Sequence, residues 1–178
     1  VRMSIDVLQE KIRKTKCPVM LELAASVSEL PAHILSGASS EAEAYGRVCR
    51  ELLEALKGTV PAVRVSFSSF ALLGPEGLVQ LASILSYAKK LGYYVTLDAP
   101  EILGVRAAER TAEVVFSDHS PFPCDSLILL SYLGTDCVKP FLEGCKTGKK
   151  DIFVAIRTAN RTAPELQDLL AGGRLVHI

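Results

Sequence analysis

Three charged residues occupy places where a buried strand should end or stay apolar, and each could do chemistry. Asp98 closes the apolar run 93–97. A carboxylate ending a buried strand lies where site residues of parallel sheets gather, and burial there would perturb its proton affinity. Its alternative employment is to cap the following helix or to accept a backbone amide. Arg64 lies between Val63 and Val65 in the alternating segment 60–67. An arginine so placed must face a polar centre, a partner carboxylate or solvent. Arg157 follows the apolar run 152–156. Its planar fork of donors suits an anion, and a structural ion pair would use it equally well.

Other chemistries find no support. The sequence has no phosphate loop, dinucleotide fingerprint, nucleophile elbow or zinc-protease motif. Residues 144–149 resemble the first of these only with the wrong spacing. His33, His119 and His177 are far apart and have no acidic or cysteine neighbour at ligand spacing, so no metal is expected. Five cysteines, an odd number without a C-x-x-C pair, fit neither a disulfide framework nor a zinc site and predict reduced thiols in a cytoplasm. The sequon Asn160-Arg161-Thr162 is then a chance match.

Charge and length narrow the class further. Twenty basic and twenty acidic residues give a formal net charge of zero, which argues against a nucleic-acid or anionic-membrane binder dependent on counterion release. No apolar run approaches the ~18 residues of a membrane span. Residues 1–16 are charged throughout and lack the apolar stretch of a secretory signal. At 178 residues and 49% hydrophobic, one domain over 1–178 is expected.

The elements that must position these residues alternate regularly. Helices are predicted over 4–14 (Ser4 as N-cap), 40–57 (capped by Ser39 or Ser40), 75–90, 105–116, 135–146 and 164–171. Strands are predicted over 19–25, 60–67, 93–97, 126–130 and 152–156, with 175–178 closing the chain. Near-continuously apolar strands separated by helices indicate a parallel sheet covered by helices. Two architectures satisfy that pattern, a doubly wound open sheet and a (β/α) barrel of TIM type. In both, the ligand site lies at the C-terminal strand ends.

A series of segments in order resembles the longer, bacterial-type branch of the orotidine 5'-phosphate decarboxylase family. It runs through Met3-Ser-Ile-Asp-Val-Leu-Gln-Glu-Lys-Ile12, Glu29-Leu-Pro-Ala-His-Ile34, Val60-Pro-Ala-Val-Arg64, Leu73-Gly-Pro-Glu-Gly77 and Ser86-Tyr-Ala-Lys-Lys-Leu-Gly92. It continues through Leu97-Asp-Ala99, Ser131-Tyr-Leu-Gly-Thr-Asp136, Lys139-Pro-Phe-Leu142, Ile152-Phe-Val-Ala-Ile-Arg-Thr-Ala-Asn160 and Leu166-Gln-Asp-Leu169. The resemblance implies an eight-stranded TIM barrel, five of whose strand–helix units are visible. It implies an active site shared across a homodimer, an orotidine or uridine 5'-monophosphate-like ligand, and no cofactor. The family's phosphate-gripping segment would lie beyond Ile178.

The resemblance also assigns residues. Family members decarboxylate with a Lys-Asp-Lys-Asp network, in which a lysine protonates the carbanion. Asp98 matches the first aspartate and Arg64 takes the first lysine position. The proton-donating lysine is replaced by Pro100 and the second aspartate by Leu103, so degenerate catalysis is expected. Arg157, Thr158 and Asn160 match the substrate-binding segment. Ala24, Ala107 and Ala159 replace an aspartate, a threonine and a serine that meet the ligand. The alternatives are a working decarboxylase and a non-catalytic subunit that binds a phosphate ligand or a partner.

Overall fold

In the computed structural model, which describes residues 3–102, 104–147, 149–171 and 174–175, the first element is helix α1 (Ser4–Thr15). Asp6 rather than Ser4 secures its start: the Met3 amide donates to the Asp6 carboxylate at 2.8 Å. Ser4 is instead buried, donating to the Asp125 carbonyl at 3.2 Å, so α1 lies across the N-terminal ends of the strands. Strand β1 (Met20–Leu23) is shorter than its apolar run, because a capped 3-10 turn at Val27–Glu29 and helix α2 (Ala32–Leu35) take up the following chain. Helix α3 (Glu41–Ala55) begins at Ser40, whose hydroxyl accepts the Glu43 amide at 3.1 Å. That satisfies one of the donors that every helix start leaves unpaired.

Strand β2 (Ala62–Ser66) ends earlier than its alternation suggests. Ser66 caps a short helix α4 (Phe67–Ala71), which leads directly into α5 (Gly74–Lys90). Strand β3 (Tyr94–Asp98), helix α6 (Val105–Val115) and strand β4 (Ser126–Leu130) follow the expected order. The helix expected over 135–146 is split into a 3-10 turn (Thr135–Cys137) and α7 (Lys139–Lys146). Pro140 explains the split, since it lacks an amide proton and is tolerated only in a first helical turn. Strand β5 (Asp151–Ala155) then precedes a single turn, α8 (Pro164–Gln167). The expected continuation to residue 171 is not helical: β6 (Leu170–Ala171) pairs antiparallel with β7 (Arg174–Leu175). Gly148, Gly172, Gly173 and His177 lie outside the described residues.

The five long strands form one parallel sheet in the order β1-β2-β3-β4-β5. A doubly wound sheet reverses its strand order at a switch point. No reversal occurs here, which sets the open-sheet alternative aside and leaves sequential units of a TIM-type barrel. Strand alternation sorts the side chains by face. Leu23, Val63, Val65, Val95, Leu97, Leu127 and Leu129 join Leu53, Leu81, Ile84, Leu85 and Phe141 in the core beneath the helices. The opposite face mixes apolar side chains such as Ala62, Tyr94 and Ile128 with polar ones. The register Glu22↔Arg64↔Thr96↔Ser126↔Asp151 draws one polar row across all five strands.

Candidate functional site

Within that row the β2 arginine meets two carboxylates. Arg64 Nε and Nη2 donate to Asp98 Oδ2 at 2.9 and 2.5 Å, while Nη1 lies 3.4 Å from Glu22 Oε1. The Asp98 side chain is only 8% exposed, whereas Arg64 and Glu22 are 39% and 51% exposed. Asp98 does not cap the next helix, whose N-cap is Gly104 without side-chain help. Its second oxygen, Oδ1, is buried with no hydrogen-bond partner. A buried acceptor left unmet costs on the order of 1–3 kcal/mol, so this oxygen can take a donor at little cost.

Beside this pair, the Thr96 and Ser126 hydroxyls bond each other at 2.8 Å in full burial. At the far end of the row, desolvation pushes the Asp151 carboxyl above its ordinary range; hydrogen bonds from the Ile5 amide and Ser4 oppose the shift, while the charges of Asp6 and Asp125 add to it.

The position two residues beyond Asp98 is Pro100, inside a turn closed by the Ile102 amide on the Ala99 carbonyl at 3.1 Å. Pro100 offers neither a side-chain donor nor an amide proton. Leu103 lies outside the described residues. At the ends of β1 and β2 a cleft of about 330 Å³ is lined by Ala24, Ala25 and Ser26 together with Ser68 and Ser69. Where the family resemblance expects a ribose-holding carboxylate, this wall presents the methyl group of Ala24.

The remaining assigned residues make a separate cluster. Arg157 forms a bidentate pair with Asp168, at 2.9 and 3.0 Å, which is the structural ion pair weighed against anion binding. Thr158 is held by Gln167, its amide donating to Oε1 and its hydroxyl accepting from Nε2, each at 2.7 Å. The Thr158 hydroxyl donates to Asn160, whose amide donates to Thr162 at 3.1 Å. The fold thus joins Arg64 to Asp98, and ties Arg157, Thr158 and Asn160 into the segment that follows β5. Glu22 escaped the sequence reading, although its signal was like that of Arg64: a charge between two branched apolar residues of a strand.

Three of the five thiols, those of Cys49, Cys124 and Cys137, are buried, and burial pushes the Cys49 thiol up to about 12 and that of Cys124 to about 11. Neither is a nucleophile at neutral pH. Among the described residues no group of three or more histidine, cysteine or acidic side chains is placed to hold a metal ion. No described helix is long and apolar enough to cross a membrane.

Sequential parallel strands with helices on one face and charged side chains at the strand ends define a (β/α)-barrel protein of TIM type, five of whose units are seen. Comparison with solved structures agrees. The fold superimposes on Leishmania donovani UMP synthase with a TM-score of 0.77 at 23% identity, over 98% of this chain and 34% of that one. It matches Plasmodium berghei orotidine 5'-monophosphate decarboxylase with a TM-score of 0.78 at 12% identity, over 96% and 66%.

No family model matches the chain. Curated relatives do. The orotidine 5'-phosphate decarboxylase of Rhodopirellula baltica is 34% identical over 142 residues, 78% of this chain and 47% of that protein. The enzyme of the same name from Clostridium perfringens is 26% identical over 170 residues, 96% of this chain and 58% of that protein. The chain belongs to the orotidine 5'-phosphate decarboxylase family, and it spans about half the length of these curated relatives.

Proposed function

We propose that this chain is a catalytically degenerate member of its family, a pyrimidine-biosynthesis scaffold that binds an orotidine or uridine 5'-monophosphate-like ligand without decarboxylating it. The supporting observation is the company Asp98 keeps. Its bonded cation is Arg64, and two residues on stands Pro100. Decarboxylation leaves a carbanion that must be protonated, and a positioned proton donor contributes ~10²–10⁴-fold of rate. A guanidinium stays charged at neutral pH and is a poor acid; proline has no proton to give. The ligand would approach over Asp98 and Arg64, with Arg157, Thr158 and Asn160 at the β5 end. No cofactor enters this reading. We place the protein in the cytoplasm, as a homodimer or larger self-assembly.

The test is an absorbance assay with orotidine 5'-phosphate at micromolar enzyme. The expected outcome is no turnover above background. Turnover within tenfold of an ordinary family enzyme overturns the degenerate reading.

A further inference from the structure

We propose that Glu22 makes the Arg64–Asp98 centre select against a ligand carboxylate, so that it accepts a pyrimidine nucleotide with an uncharged base in preference to one whose base carries a carboxylate. This rests on the nucleotide-binding reading above and deepens it by naming the ligand class.

The argument begins with donors. One edge of the Arg64 guanidinium, Nε with Nη2, is committed to Asp98 Oδ2, and its remaining terminal nitrogen lies 3.4 Å from Glu22 Oε1. One forked edge of the guanidinium and the terminal nitrogen beyond it are therefore directed at carboxylates of the protein itself. Charge gives the same answer: two carboxylates around one guanidinium leave the trio at a net charge of −1. A ligand carboxylate brought to Arg64 would be the third anion around a single cation. It would stand beside Asp98 where exclusion of water strengthens repulsion.

Unmet hydrogen-bonding capacity points to what the centre accepts. Asp98 Oδ1 is buried and without a partner, on a side chain more than nine-tenths buried. It needs an N–H or O–H donor, which a hydroxyl or imide N–H supplies and an ionised carboxylate lacks. The Thr96 and Ser126 hydroxyls, bonded to each other, do not reach it. Ser66, facing Asp98 in the β2–β3 register, accepts from Ser69, shares a hydrogen bond with Ser68 and makes none to Asp98 Oδ1. Glu22 is thus a specificity-determining residue: it occupies Arg64 from the edge strand, while Asp98 Oδ1 leaves the site open to donors.

Calorimetric titration of the full chain with uridine 5'-monophosphate and with orotidine 5'-phosphate, which differ by the carboxylate at C6, tests this directly. The wild type should bind the uridine nucleotide at least tenfold more tightly. Glu22→Gln, nearly isosteric and on a half-exposed edge position, should narrow that ratio about tenfold by strengthening orotidine 5'-phosphate binding. Equal or tighter binding of orotidine 5'-phosphate by the wild type overturns the inference, as does an unchanged ratio in Glu22→Gln; in both cases uridine nucleotide binding leaves the ligand reading standing. Absence of binding by either nucleotide to either protein overturns that ligand reading and this inference with it.

Discussion

Asp98 concentrates the energetics of the centre in one side chain, because one oxygen holds Arg64 and the other holds nothing. Removing the guanidinium would strip its last partner from a nearly buried carboxylate. Arg64→Met, which keeps the unbranched stem, should therefore destabilise the chain by about 1–3 kcal/mol; the partial exposure of Arg64 keeps the loss below that of a fully buried pair. Urea unfolding of the two proteins measures it, and an unchanged midpoint would mean that water already serves Asp98. Asp151 makes the opposite case. Its raised affinity for a proton means that the folded state binds more protons than the unfolded one between the ordinary aspartate range and the shifted value. Stability attributable to this group is present at low pH and lost as pH rises through that window. Asp151→Asn should accordingly raise the melting temperature at pH 7, with the gain shrinking as pH falls through the carboxylate range. A gain independent of pH would assign the effect to packing. Arg64 and Asp98 were legible in the sequence because charge interrupted an apolar pattern. Glu22 was equally marked, yet lay in a run read as uniformly apolar.

Helix α4 shows how an element can hide inside its neighbours' signals. Residues 60–67 alternate like one strand, but Ser66 accepts the Ser69 amide at 3.3 Å and turns the chain into a helix at Phe67. That turn brings α4 hard against α5 at Gly77. A Cβ built on Gly77 would lie 1.9 Å from the Phe70 carbonyl oxygen, a backbone atom that cannot swing aside. Gly77→Ala should therefore cost ~1–3 kcal/mol from overpacking, against the ~1 kcal/mol that alanine normally gains over glycine in a helix. Thermal melting reads the balance, and a stabilised variant would show that α4 yields. The long helices α3 and α5 and strands β3 and β4 were predicted close to their observed limits, since their periodicity runs over several turns or a full strand. Boundaries failed where proline or a serine cap decided within one residue, as at Pro140 and Ser66.

Across the whole molecule, the sheet passes from a fully buried centre to half-exposed edges. Every residue of β3 is buried, whereas Val19 beside β1 and Val154 and Ile156 at β5 are exposed. Edge strands offer unpaired amides and carbonyls to other chains, and covering apolar surface is worth on the order of 25 cal/mol per Å². The 178-residue polypeptide is therefore expected to self-associate at micromolar concentration, which light scattering will detect. A monodisperse monomer with a cooperative melt would reject this and show that the edges cover themselves. What the sequence determined alone was the order and kind of elements and the strand ends where charge gathers, because helix and strand periodicities are local properties of a few neighbouring residues. It also carried the family resemblance. What only the tertiary structure decided was the choice of sequential sheet over doubly wound sheet, and which polar residues meet. Alternation assigns a side chain to a face but not to a neighbour: Glu22, Arg64 and Asp98 become one centre only through the register of three strands separated by intervening helices.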